Sequence, residues 1–161
     1  MDHASYMREA MRLADSAAAQ DEVPVGALIV RDGVRLGEGF NNNIQLHDPS
    51  AHAEVLALRE ACGYIQNYRL LESTLYVTLE PCLMCFTACV HARVKRLVFG
   101  AYDPKQGFSL FMDEAARAKL NHQIEIVPGV LEEEAAEQMR AFFRAKRERG
   151  KRKWKRREGL T

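Results

Sequence analysis

The segment CLMCFTACVHAR at residues 82–93 constrains the fold more than any other part of this sequence. It has the length of a short helix, and Pro81 before it suits a first helical position. Its apolar residues lie nearly all round the helix, so that no polar face is left for water and the helix must be buried. The apolar run STLYVTL at residues 73–79 comes just before it and predicts a strand. The chain therefore needs a sheet covered by a largely enclosed helix.

The remaining sequence alternates between helical and strand patterns. Helices are predicted over residues 3–20, 52–63 and 109–120 and from Leu131 onward, and strands over residues 23–30, 34–40, 95–101 and 122–127. Asp2 is available to cap the first helix, and Gly63 is expected to end the second. The turn Arg-Asp-Gly joins the first two strands into a hairpin, and residues 41–51 form a polar loop. The order of elements predicts an α/β fold, a three-layer α/β/α arrangement around a central five-stranded mixed sheet.

The charge of the chain is unevenly distributed. Its net charge is only +1, but residues 144–161 contain ten Lys or Arg and two Glu, so the rest is acidic. We divide the chain into one domain at residues 1–147 and a basic tail at residues 148–161. Such a tail indicates either a polyanionic partner or a solvated charge run. No apolar signal-peptide core and no run of about 20 apolar residues is present, which predicts a cytoplasmic protein.

Two cysteines at the start of the apolar helix predict a metal site. In a reducing compartment, the spacing of Cys82 and Cys85 indicates metal or redox chemistry rather than a disulfide framework. Catalytic zinc usually has three protein ligands and one open position, so a third ligand is needed. His52, in the motif His-Ala-Glu, is the strongest candidate, and Glu54 can lie beside the metal-bound water as a base. Both motifs begin predicted helices, where the helix dipole favours thiolates and carboxylates.

Other metal sites remain open at this point. Cys89 follows Cys85 by four residues, which suits a buried thiol as well as a ligand, and we favour a place in the core. The alternative is a local site built from Cys82, Cys85, Cys89 and His91. An iron–sulfur site held by three cysteines is less favoured, because it gives no role to the His-Ala-Glu motif.

The pattern His-x-Glu followed by Pro-Cys-x-x-Cys is the signature of zinc-dependent nucleobase deaminases. Further blocks carry the resemblance along residues 5–146. They are EVPVGA (22–27), HDPSAHAE (47–54), NYRL (67–70), LYVTLEPCLMC (75–85), FGAYDPK (99–105), NH (121–122) and FFR (142–144). Taken together, they resemble the bacterial tRNA-specific adenosine deaminases of the zinc-dependent cytidine/deoxycytidylate deaminase superfamily.

This resemblance implies a fold, a reaction and a partner. The fold would be cytidine-deaminase-like, the protein would be a homodimer, and each chain would hold one Zn²⁺ through His52, Cys82 and Cys85. The reaction would convert the wobble adenosine of a tRNA anticodon, that of an arginine tRNA, into inosine. Zinc-bound hydroxide would attack C6 of adenine, and Glu54 would carry the protons as base and then acid.

The resemblance also implies six substrate contacts: Val25, Asn41, Leu79, Asp103, Lys105 and Phe143. The first and third would line an apolar base pocket, and the asparagine would hold the nucleoside. The Asp-x-Lys element would touch nucleotides beside the flipped base, and the phenylalanine would lie near the RNA. After Asp-x-Lys, however, the segment GFSLFMD is one residue shorter than the Gly-x-x-Gly-Ser of relatives. Phe108 stands where a small residue is expected.

Two other functions fit the same residues less well. The first is a deaminase of the same fold that acts on a free nucleobase or nucleoside, of the guanine or cytosine type. The second is a noncatalytic zinc-containing RNA-binding module, in which Glu54 would have no role.

Overall fold

The computed structural model describes residues 2–160 and contains one sheet with helices on both faces. The helices are α1 (His3–Ala19), α2 (Asn43–Leu46), α3 (Ala53–Ile65), α4 (Leu83–His91), α5 (Glu114–Ala118) and α6 (Glu132–Arg157), with a 3₁₀ turn at Phe108–Leu110. The strands are β1 (Gly26–Arg31), β2 (Val34–Phe40), β3 (Thr74–Leu79), β4 (Arg96–Ala101) and β5 (Glu125–Val127).

The sheet has five strands in the order β2-β1-β3-β4-β5. β1 is antiparallel to both β2 and β3, whereas β3, β4 and β5 are parallel. Asp32 and Gly33 join β1 to β2, and both have positive φ angles, of 51° and 74°. Asp-Gly suits this two-residue turn because both positions require the left-handed region. The predicted mixed sheet and its hairpin are confirmed.

Alternation along the strands divides the interior into two layers of side chains. One set of strand residues faces α3 and α4, and the alternate set faces α1. The first set is Ala27, Ile29, Leu75, Val77, Leu97 and Phe99, and the second is Leu28, Val30, Tyr76 and Val98. α6 lies beside α1, where Gln138 donates a hydrogen bond to the carbonyl oxygen of Met11 at 2.9 Å. The three-layer α/β/α prediction is confirmed.

Three differences from the predicted helices exceed a shift of one residue or concern a proline or glycine. α3 passes through Gly63 and ends when Gln66 adopts a left-handed conformation, with φ of 56°. The helix expected over residues 109–120 is split into the 3₁₀ turn and α5, because Asp113 caps α5 by accepting a hydrogen bond from the amide of Ala116. Pro81 lies one residue before the N-cap of α4, which is Cys82.

The polar loop at residues 41–51 contains the short helix α2. The carboxylate of Glu22 accepts hydrogen bonds from the amides of Ile44 and Gln45, at 3.0 to 3.1 Å. Glu22 is only 2% exposed, so these bonds satisfy a buried polar group. A side chain from a distant part of the sequence therefore orders this loop.

α4 is less enclosed than its composition predicted. Its inner face is buried, but Leu83 and Met84 on the outer face are 37% and 40% exposed. The prediction that the whole helix must be buried is wrong for the single chain. Two large apolar side chains are left on the surface beside the Cys-x-x-Cys motif.

α6 is one continuous helix across the predicted boundary between residues 147 and 148, and it extends to Arg157. The division into a domain and a tail stays a prediction. Within residues 2–160, no helix combines the length and apolar character needed to cross a membrane.

Candidate metal and active site

Two helix N-termini bring the predicted metal ligands together. His52 is the N-cap of α3 and Cys82 is the N-cap of α4. Nδ1 of His52 lies 3.7 Å from Sγ of Cys82 and 3.4 Å from Sγ of Cys85, and all three ligand atoms lie within 4.8 Å of one another. Tetrahedral zinc with ordinary bond lengths separates a nitrogen from a sulfur ligand by about 3.6 Å. The three side chains are therefore positioned to hold one zinc ion.

Hydrogen bonds and burial shift the pKa values of all three side chains. A hydrogen bond from the Cys85 thiol, with help from His52, lowers the pKa of Cys82 to about 4. The pKa of Cys85 is raised, because Cys82 accepts its proton and burial disfavours its charge. The hydrogen bond with Cys82 raises the pKa of His52. A zinc ion that binds here would displace these protons to the solvent, because it is held by thiolates and a neutral imidazole.

Glu54 lies in the first turn of α3, next to the metal ligands but outside the ligand group. Its side chain is 4% exposed, and this burial raises the pKa of its carboxyl group. A carboxyl group with a raised pKa exchanges protons more readily near neutral pH. Its position and its environment both suit a proton carrier.

The local alternative for the metal site does not assemble. Cys89 is fully buried in the hydrophobic core, and burial raises the pKa of its thiol. His91 is exposed at the last turn of α4. Within residues 2–160, the cluster of ligand atoms contains neither of them.

Asn41 and Val25 lie on the side of the site formed by α3. Oδ1 of Asn41 accepts a hydrogen bond of 2.8 Å from the amide of Ala53, the residue after His52. The amide of Asn41 donates to the carbonyl oxygen of Val25, which is 5% exposed. This hydrogen bond fixes the orientation of the Asn41 side-chain amide. Its NH₂ group makes no hydrogen bond within residues 2–160 and can donate to another molecule.

A cavity of about 790 Å³ lies between the segment after β4 and the first four turns of α6. Four of the six predicted substrate contacts line it, namely Leu79, Asp103, Lys105 and Phe143. Sequence reasoning missed Tyr102, which also lines the cavity and is 50% exposed. The exposed rings of Tyr102 and Phe143 provide surfaces on which a base can stack.

Glu80 is a second residue that sequence reasoning missed. Its carboxylate is 3% exposed and accepts hydrogen bonds from the amide of Asp103, at 3.2 Å, and from the amide and hydroxyl of Ser109, at 3.0 and 2.7 Å. A Cβ atom at Gly107 would lie 2.2 Å from Oε1 of Glu80, so a larger residue here would displace this carboxyl group from its hydrogen bonds. The signal in the sequence was an acidic residue directly after a buried strand. Its partners were not predictable.

Phe108 explains the unusual loop. It is 2% exposed and stacks on Phe86 of α4, with ring centroids 4.1 Å apart and planes 8° apart. It also forms a T-shaped contact with Phe99 of β4, with ring centroids 6.4 Å apart and ring planes at 90°. The phenylalanine therefore fills the core under the loop instead of projecting into the site.

Comparisons with known proteins agree with this geometry. The family described as the cytidine and deoxycytidylate deaminase zinc-binding region matches residues 1–101. The chain is 52% identical over 151 residues to a tRNA-specific adenosine deaminase of Haemophilus influenzae, covering 90% of this chain and 85% of the relative. It is 45% identical over 147 residues to one of Bacillus subtilis, covering 91% of each.

Two solved structures are also similar. One, from a study of A-to-I editing by tRNA:A34 deaminases at the wobble position of transfer RNA, has a TM-score of 0.76 and 38% identity, covering 83% of this chain and 99% of that one. The other, a guanine deaminase from Bacillus subtilis, has a TM-score of 0.63 and 32% identity, covering 92% and 95%.

Proposed function

The chain belongs to the cytidine and deoxycytidylate deaminase zinc-binding family, and on that premise we propose that it is a zinc-dependent tRNA-specific adenosine deaminase. It converts the wobble adenosine of an anticodon into inosine, consuming water and releasing ammonia. The observation that carries this function is the convergence of His52, Cys82 and Cys85 beside the buried carboxyl group of Glu54. Relatives that are 52% and 45% identical to this chain are tRNA-specific adenosine deaminases.

The roles follow from the position of each group. The chemistry that zinc supplies when bound by these ligands is activation of water near neutral pH. Glu54 would take a proton from the attacking water and pass protons to the ring nitrogen and the departing amino group of adenine. The raised pKa of Glu54 supports this double use, because the carboxyl group must both gain and lose a proton.

The substrate lies between the side of the site formed by α3 and the cavity beside α6. The NH₂ group of Asn41 donates a hydrogen bond to the target nucleoside, and Val25 and Leu79 contact its base. Nucleotides beside the flipped adenosine occupy the cavity that Asp103, Lys105 and Phe143 line. The hydrogen bond that orients Asn41 supports its role. The roles of Leu79, Asp103, Lys105 and Phe143 are supported by the cavity that these four residues share.

A second candidate is deamination of free guanine. It is favoured by the 32% identity to the guanine deaminase of Bacillus subtilis, which covers 92% of this chain. The basic end of α6 favours RNA instead, because a free base carries no phosphate for it to neutralise.

The test is inosine formation on an arginine tRNA with adenosine at the wobble position, measured by mass spectrometry of digested nucleosides. The wild-type enzyme should form inosine, and Glu54→Ala should lower the rate by roughly 10²- to 10⁴-fold while retaining zinc. If zinc-loaded wild type forms no inosine but converts guanine into xanthine, the second candidate is correct.

We further infer a homodimer, supported by the exposed Leu83 and Met84 on the outer face of α4. Apolar side chains at this position suit a second copy of the chain. Because its substrate is tRNA, we place the enzyme in the cytoplasm.

A further inference from the structure

The face of α6 that lines the cavity continues beyond it. Residues three or four apart share one face of a helix, and this spacing connects Arg140, Arg144 and Arg147, which line the cavity, to Lys151 and Trp154. Trp154 is 57% exposed. With a rise of 1.5 Å per residue, it lies about 10 Å beyond Arg147 along the helix axis. We call Arg147, Lys151 and Trp154 the outer stripe.

The inner arginines are neutralised within the protein, but Arg147 of the outer stripe is not. Arg140 pairs with Glu133 and Glu137, and Arg144 pairs with Glu137. Within residues 2–160, Arg147 makes no ion pair. Residues 145–157 contain nine Lys or Arg and a single Glu, so the positive charge rises steeply at this point.

Glu148, an acidic neighbour of the stripe, holds its lysine weakly. Nζ of Lys151 lies 3.6 Å from Oε1 of Glu148, and the two side chains are 71% and 57% exposed. An exposed ion pair of this kind is worth at most about 1 kcal/mol and yields to a competing anion. Lys151 is therefore available to a phosphate.

The opposite face of the same helix is turned toward the end of α1, where it makes one exposed ion pair. Arg149 forms an ion pair of 2.8 Å with Asp21, which follows α1. Arg149 is two residues from Arg147, so it points roughly 200° away from it around the helix. The contact with Asp21 leaves the outer stripe free to face a ligand that enters the cavity.

We propose that the outer stripe binds the phosphate backbone of the anticodon stem, so that the RNA lies along α6 with its loop in the cavity. This inference rests on the proposed function, because it takes the ligand in the cavity to be an anticodon loop. Arg147 and Lys151 neutralise phosphates and release counterions, and Trp154 packs against the sugar or an accessible base. Phosphate contacts position RNA without reading its sequence, so the stripe contributes affinity rather than base selection.

The chain offers a matched pair of variants for the test. Arg147→Gln/Lys151→Gln removes two charges four residues apart on the stripe, and Arg152→Gln/Arg156→Gln removes two with the same spacing on the opposite face. The affinity of the protein for the anticodon stem-loop of an arginine tRNA, labelled with a fluorophore, is measured by fluorescence anisotropy at several salt concentrations. The stripe variant should bind roughly tenfold more weakly at 0.1 M salt, and its salt slope should fall by about 2. The control should change less than twofold.

Catalysis separates this inference from the proposed function. At subsaturating RNA, the stripe variant should form inosine roughly tenfold more slowly than wild type, in proportion to its loss of affinity, whereas the control variant should keep the wild-type rate. Equal losses of affinity in both double variants, or no loss in either, would overturn the stripe. If wild type forms no inosine, the proposed function fails. The difference between the two variants in binding the same RNA still decides whether the stripe contacts phosphate.

Discussion

Oε2 of Glu80 accepts two hydrogen bonds from Ser109, one from its amide at 3.0 Å and one from its hydroxyl at 2.7 Å. Oε1 accepts a third from the amide of Asp103. Glu80 stands two residues before Cys82 in the sequence. One buried carboxylate thus connects the loop that carries Asp103 to the peptide that leads into the metal ligands.

Replacing Glu80 with Gln should loosen this loop. The glutamine NH₂ group would face an N–H donor instead of accepting from it, and the free energy of unfolding should fall by about 2 kcal/mol. Because Asp103 and Lys105 are proposed to contact RNA beside the target base, KM for tRNA should rise roughly tenfold while kcat stays within threefold. Steady-state inosine formation measures both constants.

Two controls accompany the Glu80→Gln variant. Its zinc content, measured by elemental analysis, should remain at one ion per chain. Ser109→Ala retains the backbone hydrogen bond to Glu80 and should have a smaller effect on KM. A fall in kcat with unchanged KM would mean that Glu80 acts on the chemical step and not on the loop.

Cys85 and Cys89 provide a second comparison, since both are fully buried on α4. Cys85→Ala removes a metal ligand, whereas Cys89→Ala removes only a thiol from the core. Removing a residue that only hydrogen-bonds to a metal ligand lowers metal affinity by up to about 100-fold. Removing the ligand Cys85 itself should therefore lower zinc affinity by more than this. Zinc affinity is measured by competition with a chelator. The ligand assignment fails if Cys89→Ala loses zinc and Cys85→Ala retains it.

The metal site was predictable because its signals are local. His52, Cys82 and Cys85 each stand within short motifs at helix N-termini, and the chemistry of zinc requires three such ligands. The sheet was predictable for a similar reason. Alternate residues such as Leu75 and Tyr76 must face opposite layers, and this pattern is readable along the strand.

The buried carboxylates were not predictable, because their partners are distant in sequence. Glu22 binds amides 22 and 23 residues away, and Glu80 binds groups 23 and 29 residues away. The periodicity of a sequence predicts contacts between residues a few positions apart, as in a helix turn or a hairpin. The contacts of Glu22 and Glu80 join residues much farther apart in the sequence. The same limit applies to Phe108, whose partners lie on α4 and β4.

Phe108 should be important for stability. Phe108→Ala leaves a cavity against Phe86 and Phe99 and should lower the free energy of unfolding by about 3 to 5 kcal/mol. Phe111 lies in the same segment but is 58% exposed, and Phe111→Ala should change it by less than about 0.5 kcal/mol. Urea unfolding measures both. Similar values for the two variants would contradict the packing described above.

Tyr76 should make the protein sensitive to alkali. Burial, the main cause, raises its pKa to about 12, and its hydroxyl group lies 2.9 Å from Nδ1 of His3. The folded state therefore retains this proton above pH 10, where the unfolded chain loses it. The resulting stability is complete below pH 10 and is lost as the pH rises toward 12. The free energy of unfolding of Tyr76→Phe should fall less over this range than that of wild type. Tyr64→Phe, at a side chain 66% exposed, should behave as wild type.

The exposed pair on α4 should determine the oligomeric state. Leu83 and Met84 lie beside the metal ligands, and a stable dimer buries about 1,600 Å² with an apolar centre. A carboxylate at this centre would be buried without a partner, so Leu83→Asp/Met84→Asp should shift sedimentation equilibrium from dimer to monomer. Val34 is 50% exposed at the hairpin, and Val34→Asp serves as the control because it should remain a dimer. If the wild-type protein is a monomer, there is no dimer contact. If the dimer survives the α4 substitutions and is lost with Val34→Asp, the contact lies at the hairpin and not on α4.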